Sequence, residues 1–322
     1  MITASAARCR ISYSSSSLLR VSGRTLSSTA NAREDQRLRD LGDEPQIRDE
    51  YAAVREKYET PKHPIVLAHG LLGFDELRLA GTPFPGIQYW RGIREAYAMK
   101  GIEVITATVP ASGSIELRAA RLGAIISEKA QGKSVNIIAG LDSRYMISRL
   151  KPPDVDVKSL TTIASPHRGS AFADYLMDQI GPAENLPKAY KTLEFFGLET
   201  GAFSQLTRRY MQETFNPKTL DREGVRYYSY GASLEPQYFS VFRYPHNVVK
   251  EMEGAMNDGL VSVPSSRWGV YKGTLMGVSH LDLINWTSRA KWLLYSMVGN
   301  RPNFNAIAFY LDIADMLAKE GL

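Results

Sequence analysis

From Pro64 onward, short apolar runs alternate with longer amphipathic segments. Ile65-Val66-Leu67-Ala68 contains no polar position and predicts a strand buried on both faces. Tyr89 to Lys100 predicts a helix closed by Gly101, and Ile102 to Thr108 the next strand. Ser114 stands where an N-cap belongs, ahead of a helix with Ile115, Leu117, Leu122, Ile125 and Ile126 on overlapping faces, ending near Gly132. Val135 to Ala139 reads as a strand. Leu141, Tyr145 and Ile147 predict a helix to Leu150, stopped by Pro152-Pro153, and Leu160 to Ala164 another strand. The alternation is that of an α/β fold, a mostly parallel sheet flanked by helices.

Residues 171–220 break the rhythm. Leu176, Leu186, Leu193, Phe195, Phe196, Leu198, Phe203, Leu206 and Phe215 are scattered among polar residues with no β-rich run, which predicts a helical cap inserted into the sheet. The cap could form a lipid-facing lid or simply pack on the sheet. A strand resumes at Val225 to Tyr230, and Phe304, Ile307, Ala308, Leu311, Ala314 and Leu317 have the period of a core-facing helical stripe. Residues 34–63 are charge-dense and helix-compatible as far as Tyr58, and Pro61 and Pro64 then punctuate them. They read as a charged helical leader to the 64–322 domain.

An apolar fraction of 44% and a charged fraction of 23% belong to a globular chain and exclude collagen-like, coiled-coil and disordered classes. No apolar run approaches the roughly 20 residues of a membrane span, so any membrane contact is expected to be peripheral, through the cap. The net charge of +5 points to nucleic acid only until it is located. Residues 1–33 hold Arg8, Arg10, Arg20, Arg24 and Arg33, nine serines and no acid, whereas the remainder has 34 basic and 34 acidic residues. No nucleic-acid partner is expected. The extension fits a mitochondrial presequence, and the Arg24, Leu26, Thr29 spacing suggests a cut near Arg33. Cys9, the only cysteine, lies within it, so the body has no disulfide and no cysteine nucleophile.

Several segments then converge. His69-Gly70-Leu71-Leu72-Gly73-Phe74 follows the first strand, Tyr89-Trp90 and Gly92 open the next helix, and Ser165-Pro166-His167-Arg168-Gly169-Ser170 follows the strand ending at Ala164. Asn257-Asp258-Gly259-Leu260-Val261, Ser265-Ser266-Arg267-Trp268-Gly269 and Ser279-His280-Leu281-Asp282 come later. In this order and spacing, residues 64–290 resemble the triacylglycerol lipases of the α/β-hydrolase superfamily, bacterial enzymes with mitochondrial relatives in fungi. The resemblance implies an acylglycerol or other lipid ester as substrate and no organic cofactor. It implies Asp258 as triad acid, His280 as general base and the Leu71 amide as an oxyanion donor. His69 would shape the oxyanion turn. Asp282 matches a calcium ligand of the bacterial relatives, but the second upstream carboxylate is lacking, Glu235 being the only acid between Val225 and Lys250. His63 and His246 are expected to be exposed, and His167 structural.

One element of the family pattern is absent. Where relatives have a His-Ser-x-Gly-Gly elbow before Leu-Asp-Ser-Arg-Tyr, Ala139 here runs directly into Gly140-Leu141, so four residues including the nucleophilic serine are gone. No Gly-x-Ser-x-Gly occurs anywhere; Gly277-Val278-Ser279-His280-Leu281 comes closest. Ser143 sits about 9 Å along the helix from the place of the serine, too far to replace it, and is expected to be exposed or locally hydrogen-bonded. Closing the shortened connection is expected to disturb the strand end or the first helical turn. Losing the nucleophile costs on the order of 10⁶ in turnover in another serine hydrolase, so the chain as it stands is expected to bind lipid ester and be inactive as a lipase. Two explanations stay open. One is a shortened form of an active lipase, through a misassigned splice junction or a recent loss; the other is a noncatalytic lipid- or partner-binding relative.

Overall fold

The computed structural model describes residues 45–48, 50–70, 76–77, 87–88, 90, 92–110, 113–180, 200–238, 240–285 and 304–322. Its strands are β1 (Gln46–Ile47), β2 (Ile65–Ala68), β3 (Glu76–Leu77), β4 (Ile87–Gln88), β5 (Val104–Ala107), β6 (Val135–Ala139), β7 (Val157–Ile163), β8 (Arg226–Ser233) and β9 (Val270–Met276). Seven of them form one sheet in the order β1-β9-β8-β7-β6-β2-β5, every neighbouring pair parallel. The short antiparallel pair β3-β4 is separate. The α/β expectation holds, and parallel strands bring every strand-to-helix loop to one edge, where such folds place their chemistry.

The sheet is covered on both sides because its strands are apolar on both faces. Ile65 and Leu67 pack with Ile138, Tyr230 and Leu275 under α1 (Ile93–Met99) and the C-terminal helix Ala306–Lys319. Val66 and Ala68 pack with Ile137 and Leu160 under α2 (Ile115–Ala130) and the helix after β6, which begins as α3 (Leu141–Tyr145) and widens to π-winding at Met146–Leu150. Ser114 caps α2 as expected, its Oγ accepting from Leu117 N–H at 3.2 Å, and Gly101 ends α1 in the left-handed region, φ 71°.

The described part of 171–220 is helical: α4 (Ala171–Ile180), α5 (Thr200–Ser204), then Arg208–Tyr210, the π-turn Met211–Phe215 and Asn216–Lys218 in unbroken succession. Met211 and Phe215 are buried against Ile115 and Leu141, so this end of the cap is packed on the body. No described helix is long and apolar enough to cross a membrane.

The described part of the leader, residues 45–48 and 50–63, departs from its helical expectation. In place of a helix, β1 joins the edge of the sheet in parallel with β9, and Pro45 O accepts from Thr274 N–H at 2.8 Å. The chain then runs along the C-terminal helix, with Asn305 N–H donating to Tyr51 O, Arg55 pairing with Asp312 and Asp315, and Glu59 N–H donating to Asp315. Arg55, one of the charges that made this stretch look helix-compatible, is the partner of an acidic helix edge. Among the elements that went unread are β9 and the helix Arg243–Glu253, whose Pro245 sits in the first turn, where proline costs no hydrogen bond.

Candidate active site

Asp258 lies on the loop between helix Arg243–Glu253 and the short helix Val263–Ser266. Asn257 Oδ1 accepts from Gly259 N–H at 3.0 Å, folding the loop back on itself. Gly259 has φ +105°, and a Cβ there would strike the Phe242 ring at 2.6 Å, so only glycine fits. The carboxylate beside it is wholly buried. Its Oδ1 accepts from Leu260 N–H at 3.0 Å and Val261 N–H at 2.8 Å, which leaves Oδ2 for His280 Nδ1 at 2.7 Å. The His280 backbone N–H also donates to Asp258 O at 3.1 Å.

This arrangement fixes the imidazole. Burial works against its charged form, but the Asp258 charge and hydrogen bond outweigh it and hold the His280 pKa above its ordinary value. With Nδ1 committed, Nε2 carries the lone pair of the neutral ring. Among the described residues no hydrogen bond engages Nε2, and the side chain is 35% exposed.

A second set of hydrogen bonds brackets the histidine. Asp282 Oδ2 accepts from Ser279 N–H at 3.0 Å and Ser279 Oγ at 2.6 Å, and Ser279 Oγ accepts from Asp282 N–H at 3.3 Å. The two residues thus bond reciprocally across the turn that leads into the 3₁₀ helix Asp282–Ile284. Oδ2 of Asp282, the residue that matches a calcium ligand of the bacterial relatives, serves the loop, and among the described residues no group of three or more His, Cys, Asp or Glu could hold a metal. Glu235 pairs with Lys250 at 3.6 Å on the surface.

The third component is the shortened connection. The expected disturbance does not occur: β6 reaches Ala139, α3 starts at Leu141, and Gly140 alone joins them, its carbonyl accepting from Ser143 N–H at 3.2 Å. A Cβ at Gly140 would come within 3.2 Å of Ser165 Oγ, a tight contact to which the hydroxyl would have to yield. Ser143 is fully buried and its Oγ has no partner among the described residues, which corrects the expectation of an exposed or locally bonded side chain. The one-residue connection starts the helix at once, so its first turn lies inside the protein.

The other histidines separate by environment. His246 is 3% exposed, its helix face turned to the core, and His63 is half-buried, so neither is the exposed residue expected. His167 is buried and stacked on Trp268. Arg144 Nη1 lies 3.2 Å from its Nδ1 and Thr162 Oγ1 2.9 Å from its Nε2, so the ring is neutral and donates from Nε2 to the threonine. His69 is buried at the end of β2; Leu71 lies outside the described residues.

Sequence reading passed over Arg118. Its guanidinium, 1% exposed, donates to Asp142 Oδ2 at 3.0 and 2.7 Å, to His69 O at 3.0 Å and to Pro110 O. One buried side chain thereby ties together the segments that follow β2, β5 and β6. Burial pushes the Asp142 carboxyl up, and Arg118 only partly offsets it. The signal was present: Arg118 falls on the same helical face as Ile115, Leu122 and Ile125, where a lone charge demands a partner.

A parallel sheet with an acid after β8 and a histidine after β9, held 2.7 Å apart at its carboxyl edge, defines an α/β-hydrolase. No family model matches the chain. Triacylglycerol lipase 2 of Saccharomyces cerevisiae is 37% identical over 318 residues, covering 83% of this chain and 95% of the yeast protein. The triacylglycerol lipase of Vibrio cholerae is 36% identical over 131 residues, 38% of this chain and 39% of that protein. Among solved structures, the Staphylococcus hyicus lipase superposes with TM-score 0.58 at 20% identity, covering 83% of this chain and 98% of that one. The chain belongs to the triacylglycerol lipase family.

Proposed function

We propose that this chain binds acylglycerol or a similar lipid ester at the carboxyl edge of its sheet, with Asp258 and His280 as the acid and base of a hydrolase site that lacks its nucleophile. The carrying observation is the contrast between the 2.7 Å Asp258–His280 hydrogen bond and the one-residue Ala139–Gly140–Leu141 connection. The relatives named as triacylglycerol lipases support the ligand class. Without a serine at the elbow no acyl-enzyme forms, and the family's lipase activity is lost. Residues 1–33 would direct the protein to mitochondria, and the cap would make peripheral contact with a lipid surface.

The test is flotation of the full chain with a trioleoylglycerol emulsion, alongside labelling by a fluorophosphonate. Binding without labelling is expected; failure to bind overturns the reading. Sequencing the transcript across Val135 to Tyr145 addresses the second reading, a shortened form of an active lipase, since four further codons encoding a His-Ser elbow would establish it. A fluorescent protein fused behind residues 1–33 should reach mitochondria, and a cytosolic fusion would overturn the targeting.

A further inference from the structure

Loss of the nucleophile leaves a base without its usual proton donor, while the bond that orients that base is intact. We propose that this chain is a slow, water-using esterase, in which His280 activates a water molecule for direct attack on a bound carboxylic ester with a good leaving group, such as a phenyl ester or a thioester. The proposal rests on the ester-binding reading above and goes beyond it in assigning a reaction. Asp258 fixes Nδ1, so Nε2 is the ring atom that can accept a proton, and the side chain is 35% exposed.

Four described hydroxyls on the loops and helices around the site are already engaged or enclosed. Ser279 Oγ donates to Asp282, Ser170 Oγ to Leu260 O and Ser266 Oγ to Val263 O, while Ser143 is wholly buried. Water is the nucleophile this proposal assigns, and Ser165, whose Oγ faces Gly140, is the competitor that the experiment removes.

Each bond change balances. The water oxygen bonds to the ester carbonyl carbon as one O–H proton passes to Nε2 and the carbonyl π pair moves to oxygen. The tetrahedral adduct then expels the phenolate or thiolate, which takes the proton back from the imidazolium. Carboxylic acid and phenol or thiol are released, the histidine is restored, and no covalent enzyme intermediate occurs. Leaving groups of low basicity are favoured because water attacks less readily than a serine held by its base, so the adduct must not revert by default.

The experiment measures p-nitrophenyl butyrate hydrolysis by the full chain against His280→Ala and Asp258→Asn, with melting curves confirming that each variant folds. General-base catalysis predicts a fall of about 10²–10⁴ in the His280→Ala rate. It also predicts slower turnover in D₂O, no initial burst and an unchanged rate for Ser165→Ala. Equal rates for the chain and His280→Ala would overturn the proposal, as would a burst of one equivalent that disappears in Ser165→Ala. Flotation with the trioleoylglycerol emulsion is scored on the same protein, so absent hydrolysis with intact binding defeats this inference alone, and absent binding defeats the earlier reading.

Discussion

The loops that hold Asp258 and His280 and the connection from Ala139 to Leu141 lie at carboxyl ends of strands in the same sheet, yet they are built differently. Asp258 accepts three side-chain hydrogen bonds, and His280 is further bracketed by the reciprocal Ser279–Asp282 pair. The connection consists of one glycine, and only the helix that follows it is held, through Asp142 and Arg118. Each loop closes without the other. On the proposed reading, the acid–base geometry of a hydrolase persists without its nucleophile, because neighbouring strands and not the elbow support it.

Reinserting a His-Ser-x-Gly segment between Ala139 and Gly140 breaks the contrast most completely. Ester turnover should rise by about 10⁶, the size of the loss on removing such a serine. Adding His280→Ala should erase the gain, as measured by tributyrin titration. Failure to gain any activity would mean that the retained half is no longer aligned.

Arg118→Met leaves the Asp142 carboxylate buried without its partner and should cost about 3–5 kcal/mol by thermal denaturation. The double variant with Asp142→Leu should recover much of that loss. Additive losses would show that the pair is not a unit.

A smaller effect is expected at the histidine loop. Ser279→Ala removes the hydroxyl bonded to Asp282 and should cost about 1 kcal/mol in a denaturant titration, without calcium or a chelator altering the result. The smallest is a pH effect. Because the folded pKa of His280 is raised, its contribution to stability is fully present below the unfolded value of about 6.5 and is lost as pH rises through the folded value. Asp258→Asn should flatten that slope in the denaturation midpoint.

Most of the sheet was legible because parallel strands buried on both faces are continuous apolar runs, as at Ile65–Ala68 and Val135–Ala139, and because Ser114 and Gly101 mark helix ends chemically. β9 was not, since Tyr271, Lys272 and Gly273 interrupt its pattern near the sheet edge, and Gly273 is required where Ile47 and Pro45 pack against it. The leader was misread because local charge density says nothing about partners more than 250 residues away, such as Asp312 for Arg55. The Asp258–His280 pairing was legible only through motifs, as the residues are 22 apart and neither loop has a periodic signature. Arg118 shows the reverse case, a charge whose place in a buried stripe announced a role that motif reading passed over.

Incubation of the unaltered full chain with a fluorophosphonate, read by intact mass, tests the central claim most directly. An unmodified mass, with adduct formation on the variant carrying a reinserted elbow, is the predicted result. An adduct on any serine of the unaltered chain would show that a nucleophile survives and contradict the account.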